Sequence, residues 1–272
     1  MIGALIGKGN TADVFEMGND KVIKLFHPGY SFNSVLFEYE NSKLLNPLDV
    51  PIVKSYELVD WNGRHGIVYD KIDGKSMQDI LLHPNNVEEN PTPSALLEKY
   101  ATALALLHKK ILSCKSPSAV SLKSILKKNI EDTDQLSRQR KSKLIATLNG
   151  LPDGDGFCHG DFHFGNVIVS REKYFMIDYM NVCRGHEYGD IARTVYLTEM
   201  TPVPAEIHDR TLIRGMKKQA TDIYLKEMGV NRECLSDWLM IITAARLGEL
   251  RDEQTEEKNA ILDYLAVRLC RR

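Results

Sequence analysis

The sequence has no apolar run long enough to cross a bilayer. The segment 238–245 is among the longest and reaches about half of the required length. The first residues, Met1-Ile2-Gly3-Ala4, lack the basic start and apolar stretch of a signal peptide. We therefore expect a soluble protein of the cytoplasm that has no membrane partner.

Cysteine is scarce and scattered, and no two cysteines form a Cys-x-x-Cys pair. This pattern is typical of reduced thiols in a reducing compartment and excludes a disulfide framework or a Cys-based zinc site. The five cysteines are Cys114, Cys158, Cys183, Cys234 and Cys270.

An excess of charge of either sign is also missing, since the formal net charge is −2. Composition therefore gives no reason to expect a nucleic-acid partner or an anionic membrane surface. With 43% hydrophobic and 26% charged residues, the chain can form a sizeable globular core. Oligomeric state is left open.

The hydrophobic pattern changes near residue 71. Before it, strand-like runs are joined by turns such as Met17-Gly18-Asn19-Asp20, where Gly and Asn tolerate the positive φ of a hairpin. Ser31 to Leu45 predicts a helix that Asn46-Pro47 ends, because a residue before proline disfavours the helical region. The predicted strands are 4–6, 12–15, 22–26, 52–59 and 64–72.

Helices dominate after residue 74. One apolar stripe with spacings of three and four is formed by Leu97, Tyr100, Leu104, Leu107 and Ile111. Further helices are predicted at 121–131, 134–149, 204–228, 231–248 and 255–270, with a β island at 166–177 and a surface loop at 83–93. The expected fold class is α+β, with a β-rich domain over 1–70 and a mainly helical domain over 71–272.

The strongest functional signal is His159-Gly160-Asp161-Phe162-His163-Phe164-Gly165-Asn166, followed after a short hairpin by Ile177-Asp178. An Asp on a loop can accept the proton of an attacking hydroxyl. An Asn five residues later and a second Asp across a hairpin supply hard oxygen ligands for Mg²⁺. Phosphoryl transfer needs mainly such positioning. The spacing matches the catalytic loop and metal-binding Asp of kinases.

Upstream, Gly7-Lys8-Gly9-Asn10-Thr11-Ala12 is similar to the Gly-rich loop that covers ATP phosphates, although Ala12 replaces the third glycine. Lys24 follows among the apolar residues of the next predicted strand, from which a lysine can reach phosphates. The order of loop, lysine, helix with glutamates and Asp–Asn–Asp set supports a phosphotransferase more strongly than any one motif.

Together these segments resemble the aminoglycoside phosphotransferase and choline kinase family, the small-molecule branch of the protein-kinase-like fold. The resemblance also includes Leu104-Ala105-Leu106-Leu107-His108 and Gly189-Asp190-Ile191-Ala192-Arg193, and it thins after residue 200. It implies a two-lobe fold whose first lobe binds ATP, with ATP and Mg²⁺ as cofactors and a small-molecule hydroxyl as acceptor.

The resemblance also implies roles for single residues. Asp161 would be the catalytic residue, and Asn166 and Asp178 would hold Mg²⁺. Gly7 and Gly9 would cover the phosphates, and Lys24 would contact them while pairing with Glu38, with Glu40 as the alternative partner. The backbone of Asp70 and Ile72 would hold the adenine edge.

Other residues of the motifs have structural roles as their simplest interpretation. We expect Asp190 to cap a helix and brace the catalytic loop, and His108 to be a buried hydrogen-bonding group. Cys158 is expected to act as a small buried hydrophobe.

Two departures separate the chain from regulated protein kinases. Gly160 stands where those enzymes carry an arginine that binds a phosphorylated activation loop. Only eleven residues separate Asp178 from Asp190, too few for a long regulatory segment.

The acceptor is not defined by the sequence. From residue 201 onward twelve Asp or Glu balance twelve Lys or Arg, which gives no support for a polycationic substrate such as an aminoglycoside. A sugar, amino alcohol, antibiotic or other metabolite each fits. The alternatives are a non-catalytic ATP-binding pseudokinase scaffold and an atypical protein kinase.

Overall fold

The computed structural model describes residues 2–84, 92–115, 118–205 and 207–270, and its α+β composition confirms the predicted fold class. The strands are β1 (Ile2–Lys8), β2 (Ala12–Met17), β3 (Lys21–Phe26), β4 (Ser55–Trp61), β5 (Arg64–Asp70), β6 (Lys75–Ser76), β7 (Gly156–Cys158), β8 (Val167–Ser170), β9 (Lys173–Met176) and β10 (Cys183–Gly185). The helices are α1 (Phe32–Leu45), α2 (Met77–Leu82), α3 (Pro93–Leu112), α4 (Leu122–Asp132), α5 (Arg138–Gly150), α6 (Glu187–Val195), α7 (Arg210–Met228), α8 (Ser236–Arg246) and α9 (Thr255–Cys270).

The chain divides into two compact units. The sheet unit consists of Met1–Pro91 and Phe164–Val182, and the helical unit of Thr92–His163 and Cys183–Arg272. This division departs from the predicted boundary at residue 70. The reason is that β6 pairs with β8, and the backbone of Val53 bonds to that of Met176, so the β8–β9 hairpin packs within the sheet unit.

The sheet unit is built on an antiparallel sheet in the order β1-β2-β3-β5-β4. The predicted β2–β3 hairpin is confirmed, with Gly18 at φ +71°. Asn62 and Gly63 both have positive φ in the two-residue turn between β4 and β5, as a turn of type I′ requires. Side chains such as Ile23 and Ile67 are buried in the core of this unit.

Helix α1 ends at Leu45, where the sequence predicts, but Asn46 does not leave the helical region. The pre-proline residue Asn46 keeps helical angles (φ −50°, ψ −37°), so the expected shift out of the helical region is wrong. Its side chain bonds to the backbone of Ser55 on β4, at 2.8 Å as donor and 3.2 Å as acceptor. These tertiary contacts outweigh the local preference of a residue before proline.

The helical unit confirms the apolar stripe of α3, whose members are all buried, and α3 packs against α7. Three helices start later than predicted, because a capping residue or a short 3₁₀ turn precedes each. Ser137 caps α5, Asp209 caps α7, and a 3₁₀ turn precedes α8. Residues 85–91 of the predicted 83–93 loop lie outside the described residues, and Pro93 already belongs to α3.

No helix in the described ranges is both long and apolar enough to cross a membrane. The five cysteines are free thiols, as predicted, and Cys158 is buried.

Candidate active site

The Lys24 ammonium lies between two carboxylates of the sheet unit. Its Nζ is 2.7 Å from Glu38 Oε1 and 3.0 Å from Asp178 Oδ1. Glu38, on α1, is fully buried, and its carboxylate also accepts a 3.0 Å hydrogen bond from the Tyr69 hydroxyl. The β3 lysine, the α1 glutamate and the aspartate after β9 therefore meet at one point.

One ammonium shared by two carboxylates determines how this cluster titrates. Burial alone would lower the pKa of Lys24, but the charges of Glu38 and Asp178 outweigh burial and raise it. Burial raises the pKa of Glu38, the Asp178 charge adds to this rise, and Lys24 opposes it. Lys24 therefore carries its charge at neutral pH.

Glu40, the other candidate partner of Lys24, is exposed and contacts Lys43 at 3.3 Å. We expect Glu38→Gln to lower the free energy of unfolding by about 1–3 kcal/mol, because it weakens a buried charge-assisted contact while Lys24 keeps Asp178. The matched change Glu40→Gln, on the same helix, should cost less than about 0.5 kcal/mol. Denaturant titration of both variants measures the difference, and equal losses would contradict the assignment of Glu38.

Asn166 lies directly before β8 and Asp178 lies two residues after the end of β9, so both are at the same end of the β8–β9 hairpin. Asn166 ends the 3₁₀ turn Phe164–Asn166. Its carbonyl accepts a 3.0 Å hydrogen bond from the N–H of Ile177, the residue before Asp178. The hairpin thus places the two predicted metal ligands beside each other.

Asp178 adopts an unusual backbone conformation, with φ +67°. Such angles are uncommon outside glycine and persist where the surroundings impose them. The next residue, Tyr179, is buried: its hydroxyl oxygen is 2.6 Å from the Met176 carbonyl oxygen and accepts from the Val53 N–H at 2.9 Å. The Tyr179 carbonyl accepts a 3.0 Å bond from the Asn41 side chain of α1. These contacts fix the backbone that carries Asp178.

The donor set of this hairpin fits Mg²⁺. An amide and a carboxylate are hard oxygen ligands, and the Asp178 side chain is 37% exposed. Within the described part of the chain, no group of three or more His, Cys, Asp or Glu residues is arranged to hold a metal. Mg²⁺ usually takes one or two carboxylates and completes its shell with water and substrate phosphates. The pair therefore suits a metal that arrives with a phosphate substrate.

The Gly-rich segment forms the β1–β2 hairpin. Gly7 faces Val14 across the ladder. The N–H of Gly9 closes the turn by donating to the Ala12 carbonyl at 2.9 Å, and a Cβ at Gly9 would lie 3.1 Å from that oxygen. Gly9 thus has a local steric reason to be glycine, whereas a Cβ at Gly7 would meet Val14 at an ordinary 3.4 Å.

Strand β5 ends at the residues predicted to hold an adenine edge. The Asp70 N–H donates to the Lys54 carbonyl at 3.0 Å, and the Lys71 N–H to the Asp20 carbonyl at 2.9 Å. Among the described residues, no backbone acceptor engages the N–H of Ile72. Ile72, and not Asp70, therefore offers the N–H at this edge.

Asp161 lies on the loop of the helical unit between β7 and His163. Its carboxylate is 23% exposed and stands 3.8 Å from the His163 Nε2 atom. The preceding Gly160 has φ +75°, a region that disfavours any side chain. This conformation gives a physical reason for glycine where protein kinases carry arginine.

Asp190 braces this loop from α6, as predicted, but the prediction that it caps a helix is wrong, because it lies in the first turn of α6 and His186 is the N-cap. Its carboxylate accepts from the N–H groups of His159 at 2.6 Å and Gly160 at 2.9 Å, and contacts His108 Nε2 at 3.0 Å. The other ring nitrogen of His108 lies 2.6 Å from the Tyr224 hydroxyl, which confirms a structural role for this histidine. Burial alone would raise the pKa of Asp190, but the His108 contact and the N–H bonds hold it below its usual range.

A further contact to the loop was not predicted from the sequence. Arg193 Nε donates to the Gly160 carbonyl at 3.2 Å, and its Nη2 contacts Glu249 at 2.6 Å. The available signal was spacing: Arg193 follows Asp190 by three residues, so both side chains lie on one face of α6.

Comparisons with known proteins identify the family of the chain. The model of the phosphotransferase enzyme family matches residues 3–216. Among curated proteins, no sequence matches the chain.

Solved structures with a similar fold share little sequence. An amicoumacin kinase, hAmiN, in complex with AMP-PNP and Ca²⁺ is 16% identical, with a TM-score of 0.60 over 97% of this chain and 88% of that one. An aminoglycoside-3′-phosphotransferase of type VIII is 18% identical, with a TM-score of 0.61 over 90% and 93%. The aminoglycoside phosphotransferase APH(2″)-IIa, in a ternary complex with streptomycin and ATP, is 14% identical, with a TM-score of 0.57 over 97% and 91%. Because the family model spans most of its length, the chain belongs to the phosphotransferase enzyme family.

Proposed function

We propose that the protein transfers the γ-phosphate of ATP, with Mg²⁺, to a hydroxyl group of a small molecule in the cytoplasm. The observation that carries this proposal is the position of Lys24 between the buried Glu38 and Asp178. A charged lysine fixed in this way, beside a predicted metal ligand, suits the contact with nucleotide phosphates that phosphoryl transfer requires.

In this proposal the sheet unit supplies the protein groups that bind the nucleotide. The β1–β2 hairpin with Gly7 and Gly9 covers the phosphates, and Lys24 binds them. The N–H of Ile72 and the carbonyl of Asp70 meet the adenine edge. Asn166 and Asp178 would hold Mg²⁺, which, when bound, offsets the charge of the phosphates.

Asp161 acts on the hydroxyl group of the acceptor. Its carboxylate accepts the proton of the attacking hydroxyl as the new oxygen–phosphorus bond forms and the bond to the ADP oxygen breaks. Asp190 and Arg193 hold the backbone of Gly160 and thus keep the loop in place. Neither residue needs to contact the reacting atoms.

The similar structures support a small-molecule acceptor, since one is an amicoumacin kinase, one is an aminoglycoside-3′-phosphotransferase and one is a complex with streptomycin. Their acceptors differ although their fold is shared, so the acceptor of this chain follows from its own residues. The net charge of −2 gives no attraction to nucleic acid.

Mg-ATP is expected to raise the melting temperature, because a ligand that binds only the folded state stabilises it by mass action. Asp178→Asn should reduce this shift more than Asp161→Asn does, since Asp178 supplies charge directly to the metal. Thermal melts of the three proteins, with and without millimolar Mg-ATP, measure the difference.

A melt of the wild type that Mg-ATP leaves unchanged would overturn the proposed nucleotide site. Equal losses in the two variants would show that the division of roles between Asp161 and Asp178 is wrong. Melts in ATP with EDTA are the control for binding that does not need the metal.

A further inference from the structure

The helical unit contains a cavity that the proposed chemistry does not use. Its volume is about 220 Å³, below the roughly 300–1,000 Å³ of sites for drug-sized ligands, so it has room for about one ring. The residues that line it are Tyr196, Met200, Thr243, Glu257, Ala260, Ile261 and Tyr264.

Two hydroxyl groups of this lining have no partner among the described residues. Thr243, on α8, is fully buried, and its Oγ1 makes no hydrogen bond there. Tyr264, on α9, is only partly buried as a residue, but its hydroxyl oxygen is inaccessible and also makes no hydrogen bond there. A buried helical threonine commonly bonds to the carbonyl four residues before it, as Thr221 does to Lys217 at 3.0 Å. Leaving such groups unbonded is costly, which favours an occupant that bonds to them.

Part of the cavity wall is formed by a segment with irregular backbone geometry. Tyr196 and Met200 are the first and last residues of a π-helical turn, Tyr196–Met200, that follows α6. Such turns are rare and occur frequently at functional sites. The π turn therefore gives a second observation, independent of the hydroxyl groups.

The charge of the cavity is already balanced. Glu257 is the carboxylate of the lining, and its Oε1 accepts from the Tyr196 hydroxyl at 2.8 Å and from Arg246 Nε at 2.9 Å. An ammonium group entering the cavity would compete with Arg246 for this carboxylate and would lose its hydration. The remaining lining is aromatic, aliphatic or hydroxyl-bearing, which suits an uncharged group.

A continuous set of contacts joins the cavity to the catalytic loop within the same unit. Arg246 bonds to Glu257 and, at 3.0 Å, to Glu249, which also accepts from Arg193. Arg193 in turn donates to the Gly160 carbonyl next to Asp161. Tyr196 is only three residues after Arg193, about 4.5 Å along a helix axis, so the cavity begins close to this contact.

We propose that this cavity is a specificity subsite for the acceptor, and that it takes a compact uncharged ring bearing hydroxyl or carbonyl groups. The hydroxyls of Thr243 and Tyr264 would bond to that group while the phosphorylated hydroxyl lies at Asp161. The acceptor part of this proposal rests on the proposed function, whereas binding in the cavity can be measured without turnover.

Ligand-observed NMR with cyclohexane-1,3-diol tests the binding. The diol is expected to bind the full chain, and cyclohexane-1,3-diamine, of the same size but doubly charged at neutral pH, at least about tenfold more weakly. Ala260→Trp, at the exposed residue of the lining, should abolish diol binding, whereas Ala146→Trp, at an exposed position of α5, should not.

A second variant separates ligand binding from a structural role. Thr243→Val should weaken diol binding about fivefold, the effect of one lost hydrogen bond, without lowering the melting temperature. Thr221→Val, which removes a bonded hydroxyl, should lower the melting temperature and leave diol binding unchanged. Loss of stability in Thr243→Val with unchanged diol binding would overturn the proposal.

Kinetics then connect the cavity to transfer. Once an acceptor that the enzyme phosphorylates is known, the diol should inhibit competitively against that acceptor. Ala260→Trp should raise the KM for the acceptor at least tenfold, with little change in kcat. Non-competitive inhibition, the behaviour of an effector site, would overturn the subsite. Diol binding without any phosphorylated acceptor would contradict the proposed function and leave the binding site supported.

Discussion

Asp161→Asn is expected to lower kcat by roughly two to four orders of magnitude, the usual effect of losing a positioned proton acceptor. Asparagine keeps the shape of the side chain but cannot take the proton of the attacking hydroxyl. The loss should fall on kcat, since this contact matters most as the bond forms. Steady-state kinetics with Mg-ATP and a known acceptor measure it.

Binding of Mg-ATP is the control for this variant. Lys24, Glu38 and Asp178 form their contacts within the sheet unit without Asp161, so nucleotide affinity should change little. A variant that keeps more than about a tenth of the wild-type kcat would show that Asp161 is not the catalytic base.

Asp190→Ala is expected to cost about 3–5 kcal/mol of folding free energy, which lowers the melting temperature by roughly 6–20 °C. The change leaves His108 and the N–H groups of His159 and Gly160 without their buried acceptor. Since these N–H groups belong to the loop that carries Asp161, the proposed catalytic base, kcat should fall as well. Denaturant titration and activity at low temperature measure the two effects.

A surface aspartate provides the matched control. Asp222 pairs with Lys218 and Arg232 on an exposed face, so Asp222→Ala should cost less than about 1 kcal/mol. The folded-state pKa of Asp190 is below the ordinary 3.8. Its stabilising contribution is therefore fully present above pH 3.8 and is lost as the pH falls through the lowered pKa. Equal costs for Asp190→Ala and Asp222→Ala would contradict the bracing role.

The part of the proposed site that lies in the sheet unit could be predicted because its residues belong to short segments with fixed spacing. Asn166 and Asp178 are separated by a hairpin whose length and alternation are visible in the sequence, and the structure places them at the same end of that hairpin. Lys24 occupies an apolar strand, where a charged residue needs a partner. The choice between Glu38 and Glu40 required tertiary structure, since both lie on one helix.

The remaining features depend on contacts between distant parts of the chain. Asn46 keeps helical angles because Ser55 binds its side chain, and no local rule contains that contact. The short strands β6, β7 and β10 are too brief to show a period of their own. The bond from Arg193 to Glu249 and the cavity beside Tyr196 likewise depend on how separate helices pack.

The most direct test of the central claim is the detection of a phosphorylated product. The protein is incubated with Mg-ATP and a panel of hydroxyl metabolites and antibiotics, and each acceptor is followed by mass spectrometry, with Asp161→Asn in parallel. The account predicts a phosphorylated form of at least one small molecule with the wild type, and its near absence with the variant. Binding of Mg-ATP without transfer to any member of a broad panel, or equal transfer by both proteins, would contradict it.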